Sequence, residues 1–328
     1  MSNFPFLTTA SDYMRQLPHI EDFYNSKIIK HTLCVNPNIK LSAIELACEK
    51  PLQTLVIIPG RAECEHKYAE LLYSLRQQHI RVLVIFVRGQ GLSSKIIKNS
   101  LKCHIEDFNI YRKDLSFALQ ELKVTSPYMM MAFSMGGLIA LDFIMHEQNK
   151  PARLALMAPY LWPAFNLPDP FLKTFVMTMG RLPFTKYCYT PHGKKYKKIA
   201  FKDNHHSHSF DRYETYHDYY ALHPQVALSG PTFGFVKEAL KKQLEIHNKK
   251  FDFIIPTLVI TAGNDKVVST PHTIQFFRKH LKDIGRPKYI NIPGSFHDLL
   301  NEADEYRHLA LTYAFRFLLN GEKSDNCR

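Results

Sequence analysis

Short runs of apolar residues alternate along the chain with longer segments in which apolar residues recur at helical spacing. The apolar runs occupy residues 27–35, 40–48, 54–60, 81–87, 128–133, 153–159, 257–263 and 288–294. The helical segments lie near residues 66–78, 109–123, 271–282 and 304–319, with one more from residue 135 onwards. Continuous apolar strands are typical of a parallel sheet covered on both faces, so the pattern predicts an α/β fold of about eight strands. Asn36-Pro37-Asn38 separates the first two runs and predicts a hairpin at an antiparallel edge.

The alternation stops between residues 160 and 250, a stretch too long for a loop. We therefore expect a helical insertion, or cap, at 160–250 and a core formed by 1–159 and 251–328. One cap helix is expected to begin at Asp169, with Pro170 in its first turn, and to end at Gly180. Its apolar residues share one face at helical spacing: Phe171, Leu172, Phe175, Val176 and Met179. That face is expected to pack on the core. It is also expected to cover an acyl-chain pocket or to contact lipid.

Composition is that of an ordinary globular chain: 328 residues, 45% hydrophobic and 22% charged. The first residues lack the pattern of a signal peptide, and no apolar run reaches the roughly 18 residues of a membrane-spanning helix, so a cytoplasmic location is expected. The six cysteines form no CxxC pair and are expected to be reduced thiols. His205, His206 and His208 lack thiol partners, so neither a metal site nor a cofactor is expected.

The formal net charge is +12, and residues 192–202 and 241–250 carry much of the lysine excess. A solvated basic face and a face for anionic lipid both fit this pattern. The second interpretation places the protein peripherally on the inner face of the cytoplasmic membrane. The chain has no zinc-finger or RNP-like motif, so nucleic acid is not expected as a partner.

Ser134 follows an apolar strand and precedes a helix, within the stretch AFSMGG. Two roles are open for it: an ordinary turn residue, or a nucleophile on a sharp strand-to-helix turn. A nucleophile elbow needs small residues two positions to either side, because the backbone turns very tightly there. Ala132 and Gly136 occupy those positions, with alanine in place of the usual first glycine.

A serine nucleophile needs a base and a carboxylate that orients it, and His297 and Asp265 are placed for these roles. Each follows a predicted strand, and the chain order Ser, Asp, His is that of α/β-hydrolases. His297 is expected to accept the Ser134 proton while Asp265 fixes the imidazole. Asp252 is the alternative carboxylate.

An oxyanion that develops on the substrate needs two backbone N–H donors. We expect them from Met135, at the start of the helix, and from Arg61, in the loop after residues 54–60. Pairing of Glu63 with Arg88 is expected to brace that loop. Phe133, next to the nucleophile, and Phe171 and Phe175, on the cap helix, are the candidate substrate contacts.

Seven segments resemble the lysophospholipase L2 branch of the serine-hydrolase superfamily, which is close to the monoacylglycerol lipases. They are PGRAE (59–63), KYAELLYSL (67–75), RGQGLS (88–93), AFSMGG (132–137), SGPTFGFVKEAL (229–240), AGNDKVV (262–268) and GSFHDLLNE (294–302). Segment 229–240 matters most because it lies in the insertion, where broader hydrolase relatives diverge. The chain departs from the family at Phe86 and Val87, where the family usually has an acidic residue and often a histidine.

The resemblance implies an α/β-hydrolase fold with a cap, no cofactor, and hydrolysis of single-acyl glycerolipids. It places the family's catalytic serine, aspartate and histidine on Ser134, Asp265 and His297. The leading hypothesis is a lysophospholipase that forms an acyl-enzyme on Ser134. The alternatives are a monoacylglycerol lipase, a general carboxylesterase, or a non-catalytic binding protein with a hydrolase fold.

Overall fold

Eight strands form a single sheet in the computed structural model, which describes residues 7–98, 100–164, 169–191, 193–248, 253–280 and 287–320. The strands are β1 (Ile29–Asn36), β2 (Ile39–Leu46), β3 (Gln53–Ile58), β4 (Ile80–Phe86), β5 (Met129–Phe133), β6 (Arg153–Met157), β7 (Thr257–Ala262) and β8 (Lys288–Ile292). Their order in the sheet is β1-β2-β4-β3-β5-β6-β7-β8. β1 and β2 form the predicted antiparallel hairpin at the edge, β2 also runs antiparallel to β4, and all other pairs are parallel.

Nine α-helices lie in the described residues. They are α1 (Ala10–Lys27), α2 (Ala69–Leu75), α3 (Asn109–Glu121), α4 (Met135–His146), α5 (Asp169–Arg181), α6 (Phe210–Leu222), α7 (Phe233–Asn248), α8 (Thr270–Arg278) and α9 (Asp304–Phe315). A π-helical turn, Arg316–Asn320, continues α9. Of these described helices, none combines the length and the apolar character needed to cross a bilayer.

The sheet has a hydrophobic core on each face, which explains why its inner strands β3 to β7 are almost entirely apolar and buried, whereas the edge strands β1 and β8 are mixed. Side chains of successive strand residues point to opposite faces. Along β3, Val56 and Ile58 pack in the core that includes α3 and α4, whereas Leu55 and Ile57 pack in the core that includes α2 and α9. The carboxyl ends of the parallel strands therefore form one edge of a buried, rigid platform.

Helix α1 has no counterpart among the predicted elements. Its buried residues Tyr13, Ile20 and Tyr24, with the partly buried Leu17, recur at helical spacing and join the core beside α2. Pro18 in its interior and the many polar residues around it weaken that pattern in the sequence.

The predicted cap segment contains α5, α6 and α7, and α5 extends one residue beyond the predicted end at Gly180. A Cβ at Gly180 would lie 2.5 Å from Cβ of Lys237 and 2.8 Å from the Phe233 carbonyl oxygen. Glycine is therefore needed because α5 and α7 cross closely there, and it does not serve as a helix stop. Leu172 and Val176 face the core as expected.

Buried polar contacts fix α6 to the rest of the molecule. Arg212 is 2% exposed, and it pairs with Glu70 of α2 and Asp304 of α9, each at 2.9 Å. The Tyr220 hydroxyl donates to the Ala62 carbonyl oxygen at 2.9 Å. The division of the chain into core and cap stays a prediction, and its second boundary falls within residues 249–252, outside the described ranges.

Candidate active site

Ser134 lies in a strained turn between β5 and α4. Its φ of 50° and ψ of −116° fall outside the regions that non-glycine residues normally occupy. A Cβ at Gly136 would lie 2.2 Å from the Ile58 carbonyl oxygen, so only glycine lets α4 begin this close to β3. Ser134 N–H donates to the Met157 carbonyl oxygen at 2.9 Å, and Tyr160 N–H donates to the Ser134 carbonyl oxygen at 2.9 Å. This is the geometry expected of a nucleophile elbow and not of an ordinary turn.

The three residues proposed as a triad meet at the carboxyl edge of the sheet. Nε2 of His297 lies 2.9 Å from Oγ of Ser134, and Nδ1 of His297 lies 2.7 Å from Oδ2 of Asp265. Oδ1 of Asp265 accepts the backbone N–H groups of Val267 and Val268 at 2.8 and 2.9 Å. Ser134 is 7% and His297 4% exposed. The hydroxyl, imidazole and carboxylate thus form one continuous hydrogen-bonded chain.

Asp265 remains ionised despite its burial. Burial alone would raise the pKa of this carboxyl, but the neighbouring His297 and its hydrogen bond lower it, as do the two backbone N–H donors, and the net shift is below the ordinary value of 3.8. A carboxylate held in this state can stabilise a positive charge on the imidazole.

The loop that carries His297 is held by a second buried carboxylate. Glu302 is fully buried, and it accepts the backbone N–H of Phe296 at 2.7 Å and that of His208 at 2.7 Å. The Asp298 N–H donates to the His206 carbonyl oxygen at 2.8 Å. Residues 206 and 208 precede α6, so the cap supports the histidine loop. His206 and His208, together with His205, were considered only as metal ligands in the sequence.

The loop after β3 lies directly against the elbow. A Cβ at Gly60 would lie 3.2 Å from Cβ of Ser134. Gly60 N–H donates to Oε2 of Glu63 at 2.7 Å, and Ala62 N–H donates to Oε1 of Gln90 at 2.8 Å. Between them, the N–H of Arg61 has no acceptor among the described residues, and the same holds for the N–H of Met135. Both expected oxyanion donors are therefore available to a ligand.

The expected pairing of Glu63 with Arg88 is wrong. Arg88 forms a bidentate pair with Asp114 of α3, with contacts of 2.6 and 2.9 Å, because it leaves β4 beside that helix. Glu63 instead accepts the Tyr68 hydroxyl at 2.6 Å and Nζ of Lys67 at 2.8 Å. It braces the loop through these partners and Gly60.

Lys67 connects the two loops of the site, a role that the sequence did not reveal. Its Nζ lies 2.8 Å from Glu63 and 2.7 Å from Asp298, the residue after His297. Burial disfavours the ammonium ion, but Asp298 and Glu63 outweigh it and raise the pKa of Lys67. Gln90 was also missed, although it lies in the quoted RGQGLS segment; nothing local in the sequence pairs residue 67 with residue 298.

The three candidate substrate contacts differ in their surroundings. The Phe133 ring lies 5.1 Å from the His297 ring, within the site. Phe175 is 47% exposed and contacts Phe233, whereas Phe171 is 76% exposed. Their roles in binding substrate stay predictions, and Phe171 faces solvent.

Two further features concern residues that the sequence singled out. Phe86 and Val87, where the chain departs from the resembled family, are buried, and Phe86 packs edge-on against Tyr68. Five cysteines have free thiols, at positions 34, 48, 64, 103 and 188, while Cys327 lies outside the described residues. Across the described ranges, no group of three or more His, Cys, Asp or Glu residues is placed to hold a metal ion.

Comparison with known proteins places this geometry in a wider context. The family described as "Serine aminopeptidase, S33" matches residues 49–304. Lysophospholipase L2 of Escherichia coli K12 is 29% identical over 267 residues, which cover 79% of this chain and 78% of that protein. A probable lysophospholipase L2 of Haemophilus influenzae is 25% identical and covers 80% of this chain and 83% of its own.

Solved structures show the same fold at low sequence identity. A soluble variant of monoglyceride lipase from Saccharomyces cerevisiae has a TM-score of 0.70 at 13% identity, covering 90% of this chain and 97% of its own. The monoacylglycerol lipase of Paleococcus ferrophilus has a TM-score of 0.66 at 13% identity, covering 86% and 99%. The predicted α/β-hydrolase fold and the resemblance read from the seven segments are confirmed.

Proposed function

Because the chain belongs to the S33 serine aminopeptidase family, we propose that it uses this site as a serine hydrolase of carboxylic esters and that its substrates are lysophospholipids. The observation that carries the proposal is the hydrogen-bonded chain from Ser134 through His297 to Asp265, built on a strained elbow. The relatives named lysophospholipase L2 support the substrate class.

In this proposal each group of the site has a role that its position supports. His297 removes the proton as Oγ of Ser134 attacks the ester carbonyl, and Asp265 stabilises the imidazolium that forms. The backbone N–H groups of Arg61 and Met135 donate to the oxyanion, and the loss of one such donor costs about 3 kcal/mol of transition-state stabilisation. Imidazolium then protonates the leaving glycerol oxygen. Water, activated by the same histidine, releases the fatty acid from Ser134.

The test is fatty-acid release by the purified protein from lysophosphatidylcholine, lysophosphatidylethanolamine and monoacylglycerol in parallel. Ser134→Ala is the control for contaminating hydrolases. Faster release from the two lysophospholipids, lost in Ser134→Ala, is the expected result. Faster release from monoacylglycerol would retain the mechanism and replace the substrate class with that of a monoacylglycerol lipase. Release that survives in Ser134→Ala would rule out Ser134 as the nucleophile.

An exposed apolar surface on the cap supports contact with a membrane. We call it the cap face; it comprises Phe171, Phe175, Leu182 and Phe184, which are 46–88% exposed. Scattered exposed apolar residues are normal, but four aromatic and aliphatic side chains within fourteen residues are not. Arg181 in the same segment is exposed.

The charge of the protein suits an anionic bilayer. Exposed lysines follow the cap face along the chain at positions 194, 195, 197 and 202, and the net charge is +12. Each basic residue near an anionic surface contributes about 1 kcal/mol to binding. The proposed location is therefore the inner face of the cytoplasmic membrane, where lysophospholipids are delivered to the site directly from the lipid phase.

A further inference from the structure

Arg61 has its backbone at the reacting centre and its side chain in the cleft between core and cap. Its N–H belongs to the loop that lies on Ser134. Its Nη1 donates to the carbonyl oxygen of Ser229, in the segment that leads into α7, at 3.3 Å. The guanidinium also interacts with the buried thiol of Cys103 on the core side and opposes the rise in the pKa of that thiol that burial causes. Arg61 nevertheless remains exposed as a residue, so its side chain is accessible to a ligand.

The positive charge of Arg61 is unpaired. Within the described segments, no carboxylate oxygen lies within 4.0 Å of its guanidinium, in contrast to Arg88 and Arg212, which pair with Asp114 and Glu70. A carbonyl and a thiol use only part of the five N–H donors of a guanidinium. An arginine without a carboxylate partner is ordinary on an open surface. Arg61 differs because its backbone adjoins the proposed nucleophile and its guanidinium has N–H groups left to donate to a ligand.

The length of the side chain fits the length of a lysophospholipid. The ester carbonyl carbon of a lysophospholipid acylated at its terminal glycerol carbon is about six covalent bonds from the phosphorus, and the backbone nitrogen of an arginine is about six bonds from its Cζ. Each of these chains spans roughly 7 Å when extended. If the carbonyl oxygen accepts the Arg61 N–H, the phosphate lies within reach of the guanidinium of the same residue.

We infer that the Arg61 guanidinium binds the phosphodiester of the substrate and gives the site its preference for phosphate-bearing single-chain lipids over neutral ones. Guanidinium matches phosphate with two parallel, charge-assisted hydrogen bonds, which a neutral glycerol cannot accept with comparable strength. The inference rests on the proposed ester hydrolase function, and it identifies Arg61 as the residue that recognises the head group of the substrate.

The test compares two inert amphiphiles as competitive inhibitors of the hydrolysis of a neutral short-chain ester. One is an alkyl-ether lysophosphatidylcholine and the other an alkylglycerol of equal chain length. In Arg61→Gln, the inhibition constant of the phosphate-bearing ether should rise about tenfold to a hundredfold, as for the loss of a charged hydrogen bond. The inhibition constant of alkylglycerol should rise less than threefold.

Because both inhibitors are measured on the same variant, any disturbance of the oxyanion loop affects both constants and cancels in their ratio. Arg61→Lys, which retains the charge but loses the planar fork, should give an intermediate ratio and serves if Arg61→Gln fails to fold. Arg76→Gln is the matched control, because Arg76 is also an exposed arginine but lies at the far end of α2, stacked on Tyr73. It should leave both constants unchanged.

Three outcomes would overturn the inference. Equal changes in both constants would make Arg61 a structural link between loop and cap. No change in either inhibition constant would show that the Arg61 side chain does not contact the bound lipid. If inorganic phosphate alone inhibits at the same concentration, and this inhibition is lost in Arg61→Gln, then the Arg61 guanidinium binds a free anion and not a lipid head group.

Failure of the proposed function would look different. A wild-type protein that prefers monoacylglycerol, yet binds the phosphate-bearing ether through Arg61, would overturn the substrate class and the stated preference, and would leave Arg61 only as the residue that binds the phosphodiester. A protein that hydrolyses lysophospholipids but shows no dependence of inhibition on Arg61 would overturn the head-group assignment alone.

Discussion

The backbone of Ser134 is held in a conformation that serine seldom adopts, at a cost of about 1–3 kcal/mol. The hydrogen bonds from Ser134 to Met157 and from Tyr160 to Ser134 hold the turn on both sides. The strain directs Oγ towards His297, so the molecule is less stable at this residue than it would be without the site.

Replacing Ser134 by glycine should therefore stabilise the fold while it abolishes turnover. Glycine adopts positive φ freely, whereas Ser134→Ala retains the strain, so Ser134→Gly should be the more stable of the two inactive variants by about 1 kcal/mol. Urea unfolding of both variants measures the difference. Equal stabilities would show that the turn is not strained in solution.

Asp265→Asn should lower kcat by about 10⁴-fold, because an amide cannot hold the imidazole in the required tautomer or balance its charge. The amide oxygen can still accept the N–H groups of Val267 and Val268, so the thermal midpoint should change little. Steady-state kinetics with one soluble ester, alongside a melting curve, gives both values. A loss of less than tenfold would mean that another carboxylate serves His297.

That the three residues of the proposed triad lie together could be predicted, because each follows a strand and strand ends are visible as breaks in apolar runs. The network of buried charged side chains that supports these residues could not be predicted. Lys67 lies between Glu63 and Asp298, which are far apart in sequence, and only the packing of two loops brings them together. The wrong partner for Glu63 has the same cause. Arg88 is about as far along the chain from Glu63 as from Asp114, and only the folded structure shows that its side chain turns towards Asp114.

At the scale of helices, the cap has two unlike parts. Helix α6 is attached to the core through Arg212, whereas α5 presents part of its surface to solvent. Residues of α5 carry clear signals in the sequence, a proline in the first turn and an apolar stripe, so this helix was predicted nearly to the residue. For α6 the dominant signals are long-range ion pairs, which no local pattern encodes.

Arg212→Met should destabilise the protein by about 3 kcal/mol, because buried Glu70 loses one of its two arginine partners and the half-buried Asp304 loses its 2.9 Å ion pair. The neighbouring arginines hold the pKa of Glu70 below its ordinary value in spite of burial. The free energy of unfolding in urea measures the loss. Arg181→Met, at an exposed arginine of α5, is the control and should stay within about 0.5 kcal/mol of wild type.

The double variant Phe171→Ser and Phe184→Ser should bind anionic vesicles about tenfold more weakly than wild type. It removes apolar surface from the cap face without changing the net charge. Co-sedimentation with vesicles that contain phosphatidylserine measures the change. Leu52→Ser is the control, because Leu52 is 81% exposed but lies before β3, at the opposite edge of the sheet. Equal weakening by the control would argue against the cap face.

At the scale of the whole molecule, two partly buried histidines, His217 and His247, are neutral in the folded chain. Burial lowers the pKa of His217 to about 3 and that of His247 to about 4, and neighbouring positive charges add to the effect. The unfolded chain binds protons near the ordinary pKa of 6.5, but the folded chain does not. Stability from these groups is therefore full above pH 6.5 and is lost as the pH falls towards 4 and 3.

The urea midpoint should accordingly be level from pH 8 to 7 and fall between pH 6.5 and 4.5. Carboxyls with lowered pKa, such as Glu70 and Asp265, add to the fall below about pH 4.5. Replacing His217 and His247 by glutamine should flatten the upper part of the curve. A midpoint that does not move between pH 6.5 and 4.5 would contradict the burial of neutral histidines.

The architecture of the sheet was predictable, because both of its faces are buried and its inner strands appear as nearly unbroken apolar runs. Helix α1 was not predictable from the sequence, because only one narrow face of this helix contacts the core. Its contribution depends on α2 and α6, which supply the surface on which Tyr13 and Tyr24 become buried.

The buried charge cluster around Arg212 has a consequence for synthesis on the ribosome. The carbonyl oxygen of Thr8 lies 2.8 Å from Nε2 of His308 and 3.3 Å from Nη1 of Arg307, so the first described residues are bound by nearly the last. His297 emerges just before them. A nascent chain therefore carries Ser134 for 163 further residues before His297 is made, and α6 lacks its partners on α9 until later still.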